Sequence, residues 1–371
     1  MSQKLNIGII GTGGFANFAA KAFLKVKGIT IIAVLDINES AAKATAAELN
    51  AEVYTDYEEM LKDNRIDLVY IGTPPFLHYS QSKLALHAGK HVICEKPAAL
   101  KTAEAEELAA FSKANNLLYV VNLMQRYNPL YTFVDKIIKE KTLGDFVHGF
   151  FENYACDEFL PKEHWFWDES KSGGIFIEHG VHFFDMFQGW LGSGKLVNSI
   201  QSDRPNVDEK ITDRVQATVS YKDSFVNFYH GFNQPKILDR QELRLQFEKG
   251  DITLYEWVPV KIKINALLSK KQRIDLENSL EGCSVVKHSQ PEQETQKTTG
   301  NFKEINYDEY VTIEQGDIST KMTIYEELVI SMITDQWNWI KDKSHTRVIS
   351  EVNAIESLRI AEEATQASSI L

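Results

Sequence analysis

The chain has 371 residues, 43% of them hydrophobic, and a formal net charge of −12 with no lysine- or arginine-rich block. That length supports two cored domains, and the acidic balance argues against nucleic acid or an anionic membrane as partner. Three scattered cysteines, Cys94, Cys156 and Cys283, offer neither a disulfide framework nor a metal spacing, so a reducing, cytoplasmic setting is expected.

Met1 to Leu5 lead straight into the first apolar run, Leu5–Ile10, from which no signal peptide is expected. No run approaches the roughly 18 apolar residues of a membrane span. The first run breaks into Gly11-Thr12-Gly13-Gly14-Phe15-Ala16. A strand turning tightly into a helix presents unpaired N–H groups and a positive dipole end to a pyrophosphate. Gly11 permits the turn, Gly13 lets the backbone approach phosphates, and Ala16 lets the helix pack closely. A purely structural glycine turn has the same look, but here a second apolar run, Ile29–Leu35, ends in Asp36. A carboxylate at that point accepts hydrogen bonds from the adenosine ribose and repels a 2′-phosphate, and Ile37-Asn38 bring no arginine. NAD is therefore expected rather than NADP. Asp36 competes as a helix cap, for which Ser40 is better placed.

Further apolar runs at Leu68–Ile71, His91–Cys94 and Leu118–Val121 alternate with helical patterns at Phe15–Val26, Ser40–Leu49, Ser80–Ala88 and Ala103–Ala114. Buried strands joined by helical crossovers predict a doubly wound parallel sheet, with ligands outside the carboxyl ends of its strands. Thr73-Pro74-Pro75, Glu95-Lys96-Pro97 and Asn122 stand at such ends. A lysine in Glu95-Lys96-Pro97 projects into the crevice, although a Lys-Pro after a strand is also an ordinary solvated turn.

From residue 126 the pattern changes. A helix at Leu130–Glu140 precedes longer alternating runs at Phe146–Tyr154, Leu196–Ser202, Val215–Tyr221, Phe225–Phe232, Leu243–Phe247 and Ile252–Tyr255. Hairpin signals at Lys222-Asp223-Ser224 and Lys249-Gly250-Asp251 make neighbouring strands antiparallel. The fold expected is α/β: a doubly wound parallel-sheet domain over residues 1–125, then an α+β domain with a large, mainly antiparallel open sheet over 126–371. The polar stretch 269–301 reads as long loops, a peripheral hairpin or a flap. Helices over Thr323–Lys341 and Glu351–Ser368 are expected to pack back onto the body.

Within the second part, Ser172-Gly173-Gly174 precedes Glu178, His182 and Asp185. If helical, Glu178 and His182 share a face with Asp185 one turn on. Glu178 is then placed to orient and tune the His182 imidazole as a general base. A zinc pair and a plain amphipathic helix remain alternatives, although no His-Glu-x-x-His pattern or cysteine cluster accompanies the pair.

Together these motifs resemble the glucose–fructose oxidoreductase/inositol 2-dehydrogenase (Gfo/Idh/MocA) family over nearly the whole chain. The resemblance rests on Gly8–Gly14, Thr73-Pro74-Pro75-Phe76-Leu77-His78, Glu95-Lys96-Pro97, Asn122 with Arg126-Tyr127-Asn128-Pro129, Trp167-Asp168-Glu169 and the Glu178…His182…Asp185 segment. It implies a Rossmann domain and NAD-dependent hydride transfer at a secondary alcohol of a sugar or polyol, with Lys96, His182 and Glu178 catalytic. Implied cofactor residues are Gly11, Thr12, Gly13, Gly14, Phe15, Asp36, Thr73, Pro74, His78, Glu95, Lys96 and Asn122. Implied substrate residues are Lys96, Arg126, Tyr127, Trp165, Trp167, Glu178 and His182, with His164 beside them and no metal. Glu178 departs from the family's usual aspartate, and Pro75 from its usual asparagine. Redox-neutral glycoside cleavage and a non-catalytic regulator are the family's other outcomes, and a homodimer or homotetramer is the expected assembly.

Overall fold

A computed structural model describes residues 4–205, 210–288, 296–300 and 302–370. Six parallel strands, β1 (Leu5–Ile10), β2 (Ile29–Leu35), β3 (Glu52–Tyr54), β4 (Leu68–Ile71), β5 (His91–Cys94) and β6 (Tyr119–Val121), form one sheet in the order β3-β2-β1-β4-β5-β6. Strands buried on both faces need apolar side chains throughout, and β4 and β6 are buried at every position. β3 was not expected, because a three-residue edge strand reading Glu-Val-Tyr carries too short a pattern to register. The helix after β2 begins at Glu39 and is capped by Asn38, whose Oδ1 accepts from Ala41 N–H at 3.1 Å. The expected cap, Ser40, lies inside the first turn instead.

The tight packing asked of Ala16 is met at Gly72, just past β4. A Cβ built on Gly72 would stand 2.7 Å from the Ala16 Cβ. Gly72→Ala is therefore expected to destabilise the protein by roughly 1–3 kcal/mol through overpacking. A urea unfolding midpoint equal to that of the unaltered protein would contradict so close a contact.

The second sheet has ten strands: β7 (Phe146–Tyr154), β8 (Lys195–Asp203), β9 (Thr212–Tyr221), β10 (Ser224–Gly231), β11 (Arg240–Phe247), β12 (Gly250–Tyr255), β13 (Lys261–Leu268), β14 (Ser284–Lys287), β17 (Glu309–Gly316) and β18 (Ser369–Ile370). Their order is β14-β17-β13-β12-β11-β7-β10-β9-β8-β18. The predicted hairpins β9/β10 and β11/β12 are antiparallel, whereas β7 runs parallel to β10 and β18 parallel to β8. The sheet is thus mixed, as a strand that reaches its neighbour through a long excursion can be. Strict alternation buries one face, as in β13, where Ile262, Ile264, Ala266 and Leu268 are covered. Phe187 packs edge-on against Phe228 of β10 at 5.3 Å between ring centres.

The polar stretch, expected to be long loops, a peripheral hairpin or a flap, holds a helix, a strand and one arm of a hairpin. Ser269 and Gln272 form a capping box for a helix over Lys270–Ser279, and β14 follows. A hairpin joins β15 (Gln296–Gly300) to β16 (Lys303–Tyr307). Residues 289–295 and 301 of that stretch lie outside the described residues.

Two compact units emerge, and neither is one continuous length of chain. The first comprises Met1–Tyr127, Pro161–Asp185 and Tyr325–Gln366; the second comprises Asn128–Leu160, Met186–Ile324 and Ala367–Leu371. Inside the first unit the helix Glu351–Ala367 reaches the parallel sheet's layer through Glu362. Its carboxylate accepts from the N–H and hydroxyl of Thr102, at 2.8 and 2.6 Å, at the start of the helix Thr102–Ala114. No helix among the described residues is long and apolar enough to cross a membrane.

Candidate active site

All the candidate catalytic, cofactor and substrate residues named from the sequence fall in the first unit. Gly11 takes φ of 88°, and a Cβ there would press within 2.7 Å of the Gly72 backbone, so glycine is required. Gly13 and Gly14 have the opposite surroundings: a Cβ on either would meet nothing within 4 Å. The turn therefore opens onto free space at the start of the helix Gly14–Phe23, as a phosphate cradle must. Phe15 stacks at 5.4 Å on Tyr325, a partner the sequence pattern did not flag.

Asp36 is tied to that turn. Its Oδ2 accepts from the Thr12 N–H and hydroxyl at 2.7 and 2.8 Å, and Oδ1 accepts from Asn38 N–H at 2.8 Å. The carboxylate is held as an acceptor beside the glycines, with Ile37 fully exposed next to it.

At the other strand ends, His78 is 1% exposed, with its ring nitrogens 2.6 Å from the Pro97 carbonyl oxygen and 2.7 Å from that of Thr73. It braces the loops after β4 and β5 through their backbones. The Thr73 hydroxyl donates to Gln81, and Pro74 leads into a short 3-10 turn. Glu95 is buried, which pushes its carboxyl above the usual range; hydrogen bonds from the Tyr70 hydroxyl at 2.5 Å and the Asn122 amide at 2.9 Å oppose that shift. The Asn122 Oδ1 is buried and has no partner among the described residues. An orphaned acceptor, an open glycine turn and a fixed ribose-type acceptor are the features a dinucleotide would complete.

Lys96 is mostly buried and its ammonium donates to the Glu178 carbonyl oxygen at 2.7 Å and to the Glu178 carboxylate. Glu178 lies in a π-helical turn, Phe176–Gly180, wider than an α turn, that runs into the helix Val181–Leu191. The sequence pattern placed the Glu178 carboxylate on His182; here it engages Lys96. His182 is buried. Burial first, and the nearby Lys96 ammonium second, hold its imidazole well below the ordinary histidine range. The Lys96–Glu178 pair thus lies within electrostatic range of the buried His182 imidazole.

Arg126 and Tyr127, expected at the substrate, each pair with a carboxylate. The Arg126 guanidinium clamps Asp185, with Nε to Oδ2 at 2.9 Å and Nη2 to Oδ1 at 2.8 Å and to the Asp185 carbonyl at 2.9 Å. The Tyr127 hydroxyl donates to Asp335 at 2.6 Å, and Asp335 also meets His345 at 2.6 Å. Trp165 and Trp167 are half-buried in a 3-10 turn headed by His164, whose Nδ1 accepts from Phe166 N–H at 3.2 Å. Pattern reading missed Tyr70, Tyr325 and Asp335, since single residues at long range leave no local signature. Among the described residues, no three His, Cys, Asp or Glu side chains gather as a metal-holding group.

Comparison with known proteins adds to this geometry. Residues 5–123 match the oxidoreductase family with NAD-binding Rossmann fold, and residues 131–253 match the GFO/IDH/MocA C-terminal domain. The chain is 26% identical to scyllo-inositol 2-dehydrogenase (NAD(+)) of Bacillus subtilis over 223 residues, 57% of this chain and 64% of that one. It spans 59% and 50% of the length of the first two curated relatives it matches. Among solved structures, KijD10, a 3-ketoreductase from Actinomadura kijaniata in complex with NADP and TDP-benzene, aligns with a TM-score of 0.75 at 15% identity over 100% of this chain and 99% of that one. Levoglucosan dehydrogenase, in complex with NADH and levoglucosan, aligns at 0.76 and 17% over 98% and 97%. At those identities the structures speak for the fold.

Proposed function

From a chain that belongs to the GFO/IDH/MocA oxidoreductase family, we propose an enzyme that oxidises, reversibly, a secondary alcohol of a sugar or polyol with NAD. The reading draws its support from the Lys96 ammonium held on Glu178 and acting electrostatically on the buried imidazole of His182. The coenzyme, when bound, supplies the hydride acceptor. Gly11, Thr12, Gly13 and Gly14 hold its pyrophosphate end, and Asp36 its adenosine ribose, while Thr73, Glu95 and Asn122 border the nicotinamide end. Lys96 donates a hydrogen bond to the substrate oxygen as charge develops there. His182, neutral at physiological pH, takes the hydroxyl proton. Trp165 and Trp167 offer aromatic faces to a sugar ring. The substrate class draws support from the names of the inositol and levoglucosan dehydrogenases.

Purified protein is expected to form NADH with at least one member of a panel of sugars, inositols and sugar acids. A null result across the panel, with NAD binding intact, would overturn the dehydrogenase reading. Preference for NAD follows from Asp36, whose charge opposes a 2′-phosphate. Asp36→Ala is expected to narrow the NAD/NADP ratio of kcat/KM by about 10-fold or more, a value near the cost of one lost charge contact. An unchanged ratio would remove Asp36 from that role.

For assembly, the open face of the ten-stranded sheet carries Phe150, Phe225 and Tyr310, each exposed by between 37 and 48%. Apolar rings on one open face favour self-association as a homodimer or homotetramer.

A further inference from the structure

Arg126 has the appearance of a substrate ligand in the sequence and of a structural clamp in the fold, and the position of its partner decides between them. Asp185 is 0% exposed and stands three residues after His182, one turn further along the same helix. Its carboxylate is held on both oxygens by the Arg126 fork, and Nη2 also takes the Asp185 backbone carbonyl. Asn353, from the helix Glu351–Ala367, reaches Oδ1 at 3.5 Å. A bidentate fork fixes orientation as well as distance, which a lysine point charge does not.

The turn that precedes His182 departs from the helix it feeds. Phe176–Gly180 is π-helical, a wider turn than the α-helix Val181–Leu191 that carries the imidazole. Three residues past His182, the fork on Asp185 gives the start of that helix a charged, directional tether. Burial raises the Asp185 carboxyl while the Arg126 charge opposes that shift, which is the balance of a paired buried ion.

We infer that Arg126 is a positioning residue: through its fork on Asp185 it sets the helical turn on which His182 meets the substrate hydroxyl, and it does not bind the substrate itself. This rests on the dehydrogenase reading for His182, and its test therefore includes a measurement that needs no turnover.

The test uses the full chain with Arg126→Lys, which keeps the charge and loses the fork, and Arg126→Gln, which loses both. With an alcohol substrate, Arg126→Lys is expected to lower kcat about 10- to 100-fold, the range for displacing a catalytic group by about an ångström. KM for the alcohol and Kd for NAD should stay within about two-fold. Without any substrate, the Cε1–H resonance of His182 should titrate at higher pH in both variants, as a loosened turn admits water to a buried ring. Thermal melting verifies that each variant is folded; should Arg126→Gln fail to fold, Arg126→Lys carries the test. A raised KM with kcat retained would make Arg126 a substrate ligand and overturn the inference. An unmoved His182 titration in folded Arg126→Lys would overturn it independently of any activity. A shifted titration in a protein that oxidises no alcohol would leave the clamp standing and sink the dehydrogenase reading alone.

Discussion

Lys96→Ala is expected to lower turnover about 10²- to 10³-fold, the usual cost of removing one preorganised donor from a developing oxyanion. NAD affinity should change by no more than a few-fold, because the glycine turn and Asp36 stand at the other end of the cradle. The variant also strands Glu178, a mostly buried carboxylate whose ammonium partner has gone. Leaving a charge so placed is destabilising in itself. Lys96→Ala combined with Glu178→Gln separates the two effects, since it removes the stranded charge and leaves the oxyanion donor missing. Turnover that stays low in the folded double variant, measured by stopped-flow NADH formation, assigns the loss to Lys96. Recovery to near the unaltered rate would mean that Lys96 served only to neutralise Glu178.

His182→Ala is the second large effect, with an expected loss of about 10²- to 10⁴-fold for a general base. Its pH dependence carries more information than the size of the loss. A base works when neutral, and burial plus the Lys96 ammonium hold His182 well below its ordinary range. As pH falls, activity should therefore persist below the 6.5 of a free histidine before the imidazole protonates. In Lys96→Ala one of the two depressing causes is gone, so the acid limb should move to higher pH. An acid limb at or above 6.5 in the unaltered enzyme, or one that Lys96→Ala leaves in place, would remove His182 as the base.

The parallel sheet was legible because each buried strand needs an apolar run and each crossover an amphipathic or alanine-rich helix. The termini of β1, β2, β4 and β5 coincide with those runs. The edge strand β3 and the direction of β7 against β10 were not legible, since pairing direction is a property of the connection between strands and not of either strand. β13 and β17 carried a signal that went unread. Lys261-Ile262-Lys263-Ile264 and Tyr310-Val311-Thr312-Ile313 alternate cleanly, and the first of these sits beside the polar stretch that drew the eye. At the candidate site, Gly11, Asp36, Lys96, Glu178 and His182 stand out in the sequence because their types and spacing match a chemical need. The pairings among them do not. The Glu178 carboxylate reaches Lys96 from a π turn, which a regular helix drawn from residue 178 does not anticipate. The family resemblance puts Arg126 and Tyr127 at the substrate, and the carboxylate partners they have in the fold, Asp185 and Asp335, leave no local signature.

The glycine turn and the helical turn that carries His182 share a compact unit assembled from three lengths of chain, Met1–Tyr127, Pro161–Asp185 and Tyr325–Gln366. A gene fragment cut after residue 127 would encode the whole parallel sheet and still lack Glu178, His182, the Glu362 carboxylate on Thr102 and the Asp335 acceptor of Tyr127. Such a truncation product should be a poor nucleotide-binding module, with a frayed helix start and two stranded side chains. Maturation of this unit must also wait for ribosomal synthesis of Tyr325–Gln366. The slow, entropy-costly closure of those distant segments is then expected to limit the rate at which binding competence appears after release.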